Sequence, residues 1–300
     1  MTYIIDRANI LTNNGVEQTS LLIKNNQVEF IRPALDNFKY MKMNMSRYLL
    51  TPGYVMPDFS LNSSLHFTQF KEIMIHKLMK KGCTAVLTVV SIQYEKELDS
   101  AVKKQRQLMI NSPIDFYIGV KIHLEKLTPS FIRSCKKLRI PVIFIEFNNE
   151  YELEKKPWSW IRDAMFSYPI TLIPYPTGDH SKLLDKWKNI IKKHKMSSLN
   201  ECPKEHAPLE KEMLMTIGIY PKKGEIRAGS EVDYNMYDLS KLSLQVDEKT
   251  FLHYDSHNPV FTVHKGRLIN VNSRIIFKPG YGEECFITIP SRFIIQHTSF

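Results

Sequence analysis

Five residues combine a reactive side chain with a place at the end of a predicted strand: Asp58, His123, Glu146, Asp179 and His180. Carboxylates and imidazoles are ligands for zinc and similar divalent ions, and a carboxylate beside an imidazole can also move protons. The strand ends of a β/α barrel are where such groups converge. The set can therefore form a single-metal site. The competing reading is ordinary loop polarity, because no two of the five have the spacing of paired ligands. Asp115, Lys121 and His123 share one face of their strand, since side chains alternate along it. His253 and His257, in HYDSH, stand four apart, but on β or turn structure they do not converge as helical histidines do. They are read as structural.

Other chemistries are excluded or disfavoured. The chain has 300 residues with 11 glycines, and it holds no phosphate-binding loop and no dinucleotide fingerprint. Cys83, Cys135, Cys202 and Cys285 are scattered, without zinc or redox spacing, so reduced thiols are expected. The formal charge of +10 permits anionic partners without defining one, and no specific nucleic-acid module is recognisable. The N-terminus MTYIIDRANILTNNG lacks the basic and apolar regions of a signal peptide. No segment reaches the ~20 apolar residues of a membrane span. A cytoplasmic protein is expected.

The elements that must position these residues follow a simple order. YIIDRANILT and SLLIKNNQVEFI read as strands, with turns at Asn13-Asn14-Gly15 and Asn25-Asn26. RYLLTPGYVMPDF then opens a β/α alternation. It continues through TAVLTVV, IDFYIGVKIH, IPVIFIEF and ITLIPYP, five strand candidates in all. Between them lie helices such as TQFKEIMIHKLMKKG, which ends at Gly82, and the segment begun by Thr128-Pro129, a cap followed by a first-turn proline. WSWIRDAMF reads as a helix, with Trp158 and Trp160 as core or interface residues. The helix over 180–196 carries Leu183, Leu184, Trp187, Ile190 and Ile191 on one side and lysines on the other, as a barrel helix with a solvated face would. After Glu201 the alternation stops, and from Tyr220 the chain reads as β and turn. The expected architecture is α/β: an incomplete or distorted TIM-like (β/α) barrel over residues 49–219. A small β-sandwich is expected from both chain ends, residues 1–48 plus 220–300. A complete eight-unit barrel takes about 250 residues. A barrel short of strands exposes edges that must be covered or paired, by a rearranged sheet or an oligomer.

Three stretches in order resemble the metal-dependent amidohydrolases, in particular the hydantoinase, dihydropyrimidinase, allantoinase and dihydroorotase branch. They are ANILTNNGVEQTSLLIKNNQVEFI, LLTPGYVMPDFS with KKGCTAVLTVV, and IGIYPKKGEIRAGSEVDYNMYDL, which PVFTVHKGRLINVNSRIIFKPGYGEE continues. The resemblance implies a barrel whose first strand reads Pro-Gly-apolar-apolar-Asp-x-His-x-His. Two histidines two apart on a strand face inward together and grip a metal that acidifies water. On that frame Met56 stands for the aspartate, Asp58 for the first histidine and Ser60 for the second. The bridging lysine falls at Phe144 or Ile145, with Lys121 as an alternative under another alignment. The last ligand, an aspartate, is echoed by Asp179 and His180 in TGDHS.

The resemblance thus implies inherited architecture without the two-metal site. The expectation is a non-catalytic amidohydrolase-like protein, a pseudoenzyme with a binding or scaffolding role. It needs no metal or other cofactor and associates with copies of itself or with a protein partner. Inactive dihydroorotase-like subunits and the collapsin response mediator proteins are the fold-level precedents. The alternative is a hydrolase of cyclic amide C–N bonds. That enzyme would use Asp58, Asp179 and His180 with one divalent ion such as zinc, with Glu146 as a further ligand, or an acid/base pair alone. A third reading makes the lysine-rich helices a module for anionic surfaces.

Overall fold

A computed structural model of the chain describes residues 2–12, 15–177, 180–241, 258–288 and 290. The order begins with β1 (Thr2–Thr12), β2 (Gly15–Lys24), β3 (Gln27–Arg32), β4 (Met41–Asn44), β5 (Tyr48–Pro52) and β6 (Tyr54–Asp58). It continues through α1 (Phe67–Glu72), β7 (Cys83–Ser91), α2 (Leu98–Met109), β8 (Asp115–His123), α3 (Pro129–Lys137) and β9 (Val142–Phe147). Next are α4 (Glu150–Lys155), α5 (Trp158–Met165), β10 (Thr171–Pro176), α6 (His180–His194) and α7 (Lys211–Ile217). Strands β11 (Tyr234–Asp238), β12 (Phe261–His264), β13 (Arg267–Val271) and β14 (Arg274–Ile275) end the described order. His253 and His257 lie outside the described residues, as do Asn13 and Asn14.

One unit comprises Met1–Met56, Phe67–Val86 and Pro221–Pro279. Its strands hydrogen-bond into a single nine-stranded sheet, ordered β14-β13-β12-β11-β5-β1-β2-β3, with β4 beside β1. Asn25 and Asn26 both take positive φ, 52° and 60°, which is the conformation a two-residue hairpin turn requires. One face buries Ile5, Ile10, Leu21, Ile23, Leu50 and Met236. The three segments that resemble the amidohydrolases do structural work here. Lys223 is buried, and its ammonium lies 2.5 Å from both Glu231 and Asp233. Asp233 also accepts from the Lys265 amide at 2.6 Å and pairs with His264 Nδ1 at 3.1 Å. Burial alone would raise the Asp233 carboxyl, but the Lys223 ammonium and then His264 outweigh it and hold the group at about 2. Asn235 fills the space beside Gly82, which has φ +88°, and donates to its carbonyl at 3.0 Å. A Cβ at Gly53 would fall 2.3 Å from Thr84 Oγ1, so the Pro-Gly entry to β6 is dictated by packing.

The second unit comprises Pro57–His66, Leu87–Tyr220 and Gly280–Phe300. The five strand candidates of the sequence are the five strands of a parallel sheet, ordered β10-β9-β8-β7-β6, of which β6 and β7 begin in the first unit. Their central residues are mostly apolar and buried, as in strands covered on both faces. Phe147, Trp158 and Trp187 form a buried aromatic group, with Phe147 and Trp187 stacked at 5.6 Å. Leu183 and Trp187 turn one face of α6 inward. Trp158 is core as expected, whereas Trp160 is not: it is 68% exposed on the outer side of α5. Five strands fall short of the eight that close a barrel, and the exposed edges are met within the chain. At β10, Leu172 donates to Ser197 O and accepts from Leu199 N, both at 3.0 Å. At β6, His206 N donates to Pro57 O at 3.0 Å. Residues 196–206 thus form a strap from one outer strand of the sheet to the other. Trp187 Nε1 ties it down through Ser198 Oγ at 2.9 Å.

Candidate functional site at the strand ends

Asp58 ends β6 and is fully buried. Its Oδ1 accepts from Ser60 N (2.8 Å), Ser60 Oγ (2.9 Å) and Leu61 N (2.7 Å). This arrangement is an Asx turn that stops the strand. Its Oδ2 lies 2.6 Å from His206 Nε2. Burial works to raise this carboxyl, but the bonds from His206, Leu61 and Ser60 prevail and leave it below the ordinary aspartate range. Glu205 completes the group: its Oε1 accepts from Phe59 N at 2.8 Å and lies 3.7 Å from His206 Nε2. One ligand-type atom from each of Asp58, Glu205 and His206 lies within 4.8 Å of the others.

The other strand-end residues are engaged elsewhere. Glu146, next to the last residue of β9, faces Lys121 Nζ at 3.8 Å, and that ammonium sits 4.6 Å over the Tyr175 ring. His123 caps a short turn, accepting from Glu125 N at 3.3 Å, with Glu152 3.9 Å from its Nε2. Asp115 opens β8, at the opposite end from His123, and accepts from Glu283 N at 3.0 Å. Asp179 and the side chain of His180 lie outside the described residues. Phe59 packs edge-on against Phe144 at 5.2 Å and Tyr175 at 5.9 Å. Burial pushes the Cys202 thiol up to about 12 against the pull of Lys121, so it offers no thiolate nucleophile near neutral pH.

Sequence reasoning finds Asp58 but misses Glu205 and His206. They sit in a polar stretch between Pro203 and Pro208 that carries no strand or helix pattern. The signal that was legible was the need to cover two open strand edges.

The chain shares its fold with solved hydantoinases and dihydropyrimidinases. A D-hydantoinase matches with TM-score 0.64 at 14% identity, covering 95% of this chain and 98% of the other. The dihydropyrimidinase from Brevibacillus agri matches with TM-score 0.60 at 12% identity, over 97% and 100% of the two chains. The L-hydantoinase (dihydropyrimidinase) from Arthrobacter aurescens matches with TM-score 0.57 at 12% identity, over 95% and 100%. These identities establish a shared fold. No family model matches the sequence, and no curated protein does.

The residues here do not fit the two-metal site that the fold implies. On the frame that the resemblance implies, Asp58 and Ser60 take the two histidine positions, and the Ser60 hydroxyl is spent on Asp58. Phe144 and Ile145, the alternatives for the lysine position on that frame, are completely buried, and Phe59 covers Phe144. Lys121, next to Phe144 in register, is engaged with Glu146 and Tyr175. Among the described residues no helix is long and apolar enough to cross a membrane.

Proposed function

We propose that this chain is a non-catalytic amidohydrolase-fold protein, retained for binding or scaffolding. The five-stranded parallel sheet is what remains of the barrel, and the nine-stranded sheet is its small β domain. The observation that carries the reading is the fate of Asp58, the one first-strand residue that could still ligate a catalytic metal. One of its oxygens terminates the strand and the other fastens the strap through His206. Asp179 and His180 are then remnants without a reaction.

The binding role is assigned to the open groove between α3 and α5, about 390 Å³, lined by Pro129, Arg133, Lys136, Trp160, Asp163 and Ala164. A large exposed aromatic beside cationic side chains suits an acidic segment of a partner protein with an apolar anchor.

A second reading has one observation in its favour. Asp58 and His206 are a carboxylate–imidazole pair at 2.6 Å, and such a pair can serve as a general base. Hydrolysis of a cyclic amide by this pair predicts turnover that is lost on Asp58→Asn. The test is an assay of purified protein on hydantoin and dihydrouracil with zinc or manganese supplied. Absence of turnover supports the non-catalytic reading, and turnover abolished by Asp58→Asn overturns it.

A further inference from the structure

The nine-stranded sheet carries a run of aromatic rings that the fold does not bury. Directly paired residues point to one face of a sheet, so Lys42, Ile4, Leu22 and Phe30 form one cross-strand row over β4, β1, β2 and β3. Leu35 covers Ile4 and Leu22, and Phe38 packs against them. Phe38 then joins Phe30 to Tyr40: its ring centre lies 6.3 Å from each, at interplanar angles of 32° and 21°. Phe30 is 41% exposed and Tyr40 47%. Adjoining exposed aromatics differ from the scattered apolar residues of any surface, and mark a contact site. The cations around them are in excess. Glu29 and Asp36 are paired with Lys24 and Lys42 at 3.2 and 2.8 Å. Arg32 and Lys39 have no carboxylate partner among the described residues, and the Arg32 guanidinium sits 6.0 Å from the centre of the Phe30 ring.

A ligand that matches this surface is anionic and carries flat rings at intervals. An acidic peptide or a lipid headgroup satisfies the cations but leaves the ring faces bare. A single nucleic-acid strand satisfies both, its bases stacking on aromatics while cations track its phosphates. The rise per nucleotide of a stacked strand is about 3.4 Å, so rings 6.3 Å apart suit bases of a strand drawn out to about twice that rise. The net charge of +10 favours its approach. We propose that Phe30, Phe38 and Tyr40, with Arg32 and Lys39, form a platform for single-stranded nucleic acid. Every base has a stacking face, so binding is tolerant of sequence and needs no sequence-reading module. The platform uses one sheet of the first unit and is independent of the non-catalytic reading and of the α3–α5 groove.

The test follows the fluorescence anisotropy of labelled oligothymidylate and oligouridylate of about ten nucleotides as the full chain is added at low salt. Saturable binding that weakens with salt is expected. With Arg32 and Lys39 each neutralising one phosphate, log affinity falls against log salt with a slope of about −1.4, and Arg32→Gln brings it to about −0.7. Phe30→Ala and Tyr40→Ala should each weaken binding about fivefold or more. Tyr40→Trp, which keeps a ring, should retain it. Both rings are exposed, so these variants should keep the fold, which thermal unfolding checks. A wild-type protein that binds neither strand overturns the proposal, as does affinity unchanged in both alanine variants. Inorganic polyphosphate of equal charge that displaces the labelled strand as well as the unlabelled strand does would also overturn it, because charge alone would then account for the binding.

Discussion

His206 Nε2 meets Asp58 Oδ2 at 2.6 Å across 148 positions of the chain. The contact joins the last residue of the first parallel strand to the far end of the segment that covers the sheet's open edges. A position that the amidohydrolase resemblance marks for metal chemistry is thereby used to hold the fold together. A bond between a buried carboxylate and an imidazole contributes roughly 1.5–3 kcal/mol. His206→Ala should therefore lower unfolding free energy by about that amount, measured by urea denaturation near neutral pH. The Asp58 carboxyl is depressed in the folded protein. Its contribution is thus complete above the unfolded aspartate value of about 3.9 and is lost as pH falls through the lower folded value. Asp58→Asn should remove this part of the acid sensitivity.

A second acid-sensitive element lies in the other unit. Lys223 is buried between Glu231 and Asp233, and removing one partner of such a cluster costs about 3–5 kcal/mol. Lys223→Met should destabilise by that order, measured by denaturant unfolding. Asp233 is held at about 2. The stability it supplies is therefore present above the unfolded value of about 3.9 and disappears between there and the folded value as pH falls. In Lys223→Met this acid-dependent loss should shrink, because the ammonium that depresses Asp233 is gone and the folded value moves up toward the unfolded one.

Gly53 and Thr84 form a fitted pair. A methyl at Gly53 would fall 2.3 Å from Thr84 Oγ1 and 2.6 Å from its Cγ2, and overpacking of this kind costs about 1–3 kcal/mol. Gly53→Ala should destabilise accordingly. Adding Thr84→Ala should recover part of the loss, since it removes the two nearest clashing atoms, though not the Cβ at 2.9 Å, and a buried hydroxyl that finds no hydrogen-bond partner among the described residues. A double-mutant cycle read by thermal unfolding measures the coupling.

These pairs explain what the sequence reveals and what it hides. The five parallel strands are legible because each is a short apolar run bounded by turn or helix signals, as TAVLTVV becomes Cys83–Ser91. The Thr128-Pro129 start is legible because capping is local, and Thr128 Oγ1 accepts from Phe131 N at 3.0 Å. The amidohydrolase-like segments are legible because Gly53, Gly82, Lys223 and Asp233 each meet a packing or charge demand of the fold. Glu205 and His206 are not legible. Their pairing with β6 follows from the path of the strap, and the polar residues around them have no periodicity. Trp160, read with Trp158 as core or interface, is not core, because the turn of α5 directs it outward.

The α3–α5 groove makes a separate prediction. Trp160 is 68% exposed, so Trp160→Ala should change stability by no more than about 0.5 kcal/mol. The same substitution, and Arg133→Glu, should abolish binding of a glutamate-rich peptide carrying a single leucine, followed by fluorescence anisotropy. Binding unchanged in both variants would remove the groove from the account.

The most direct measurement is turnover of hydantoin and dihydrouracil by the wild-type protein supplied with zinc or manganese, run beside Asp58→Asn and His206→Ala. The account predicts the uncatalysed rate for all three, because Asp58 and His206 fasten a strap instead of activating water. A wild-type rate well above background that falls to background in either variant would contradict it.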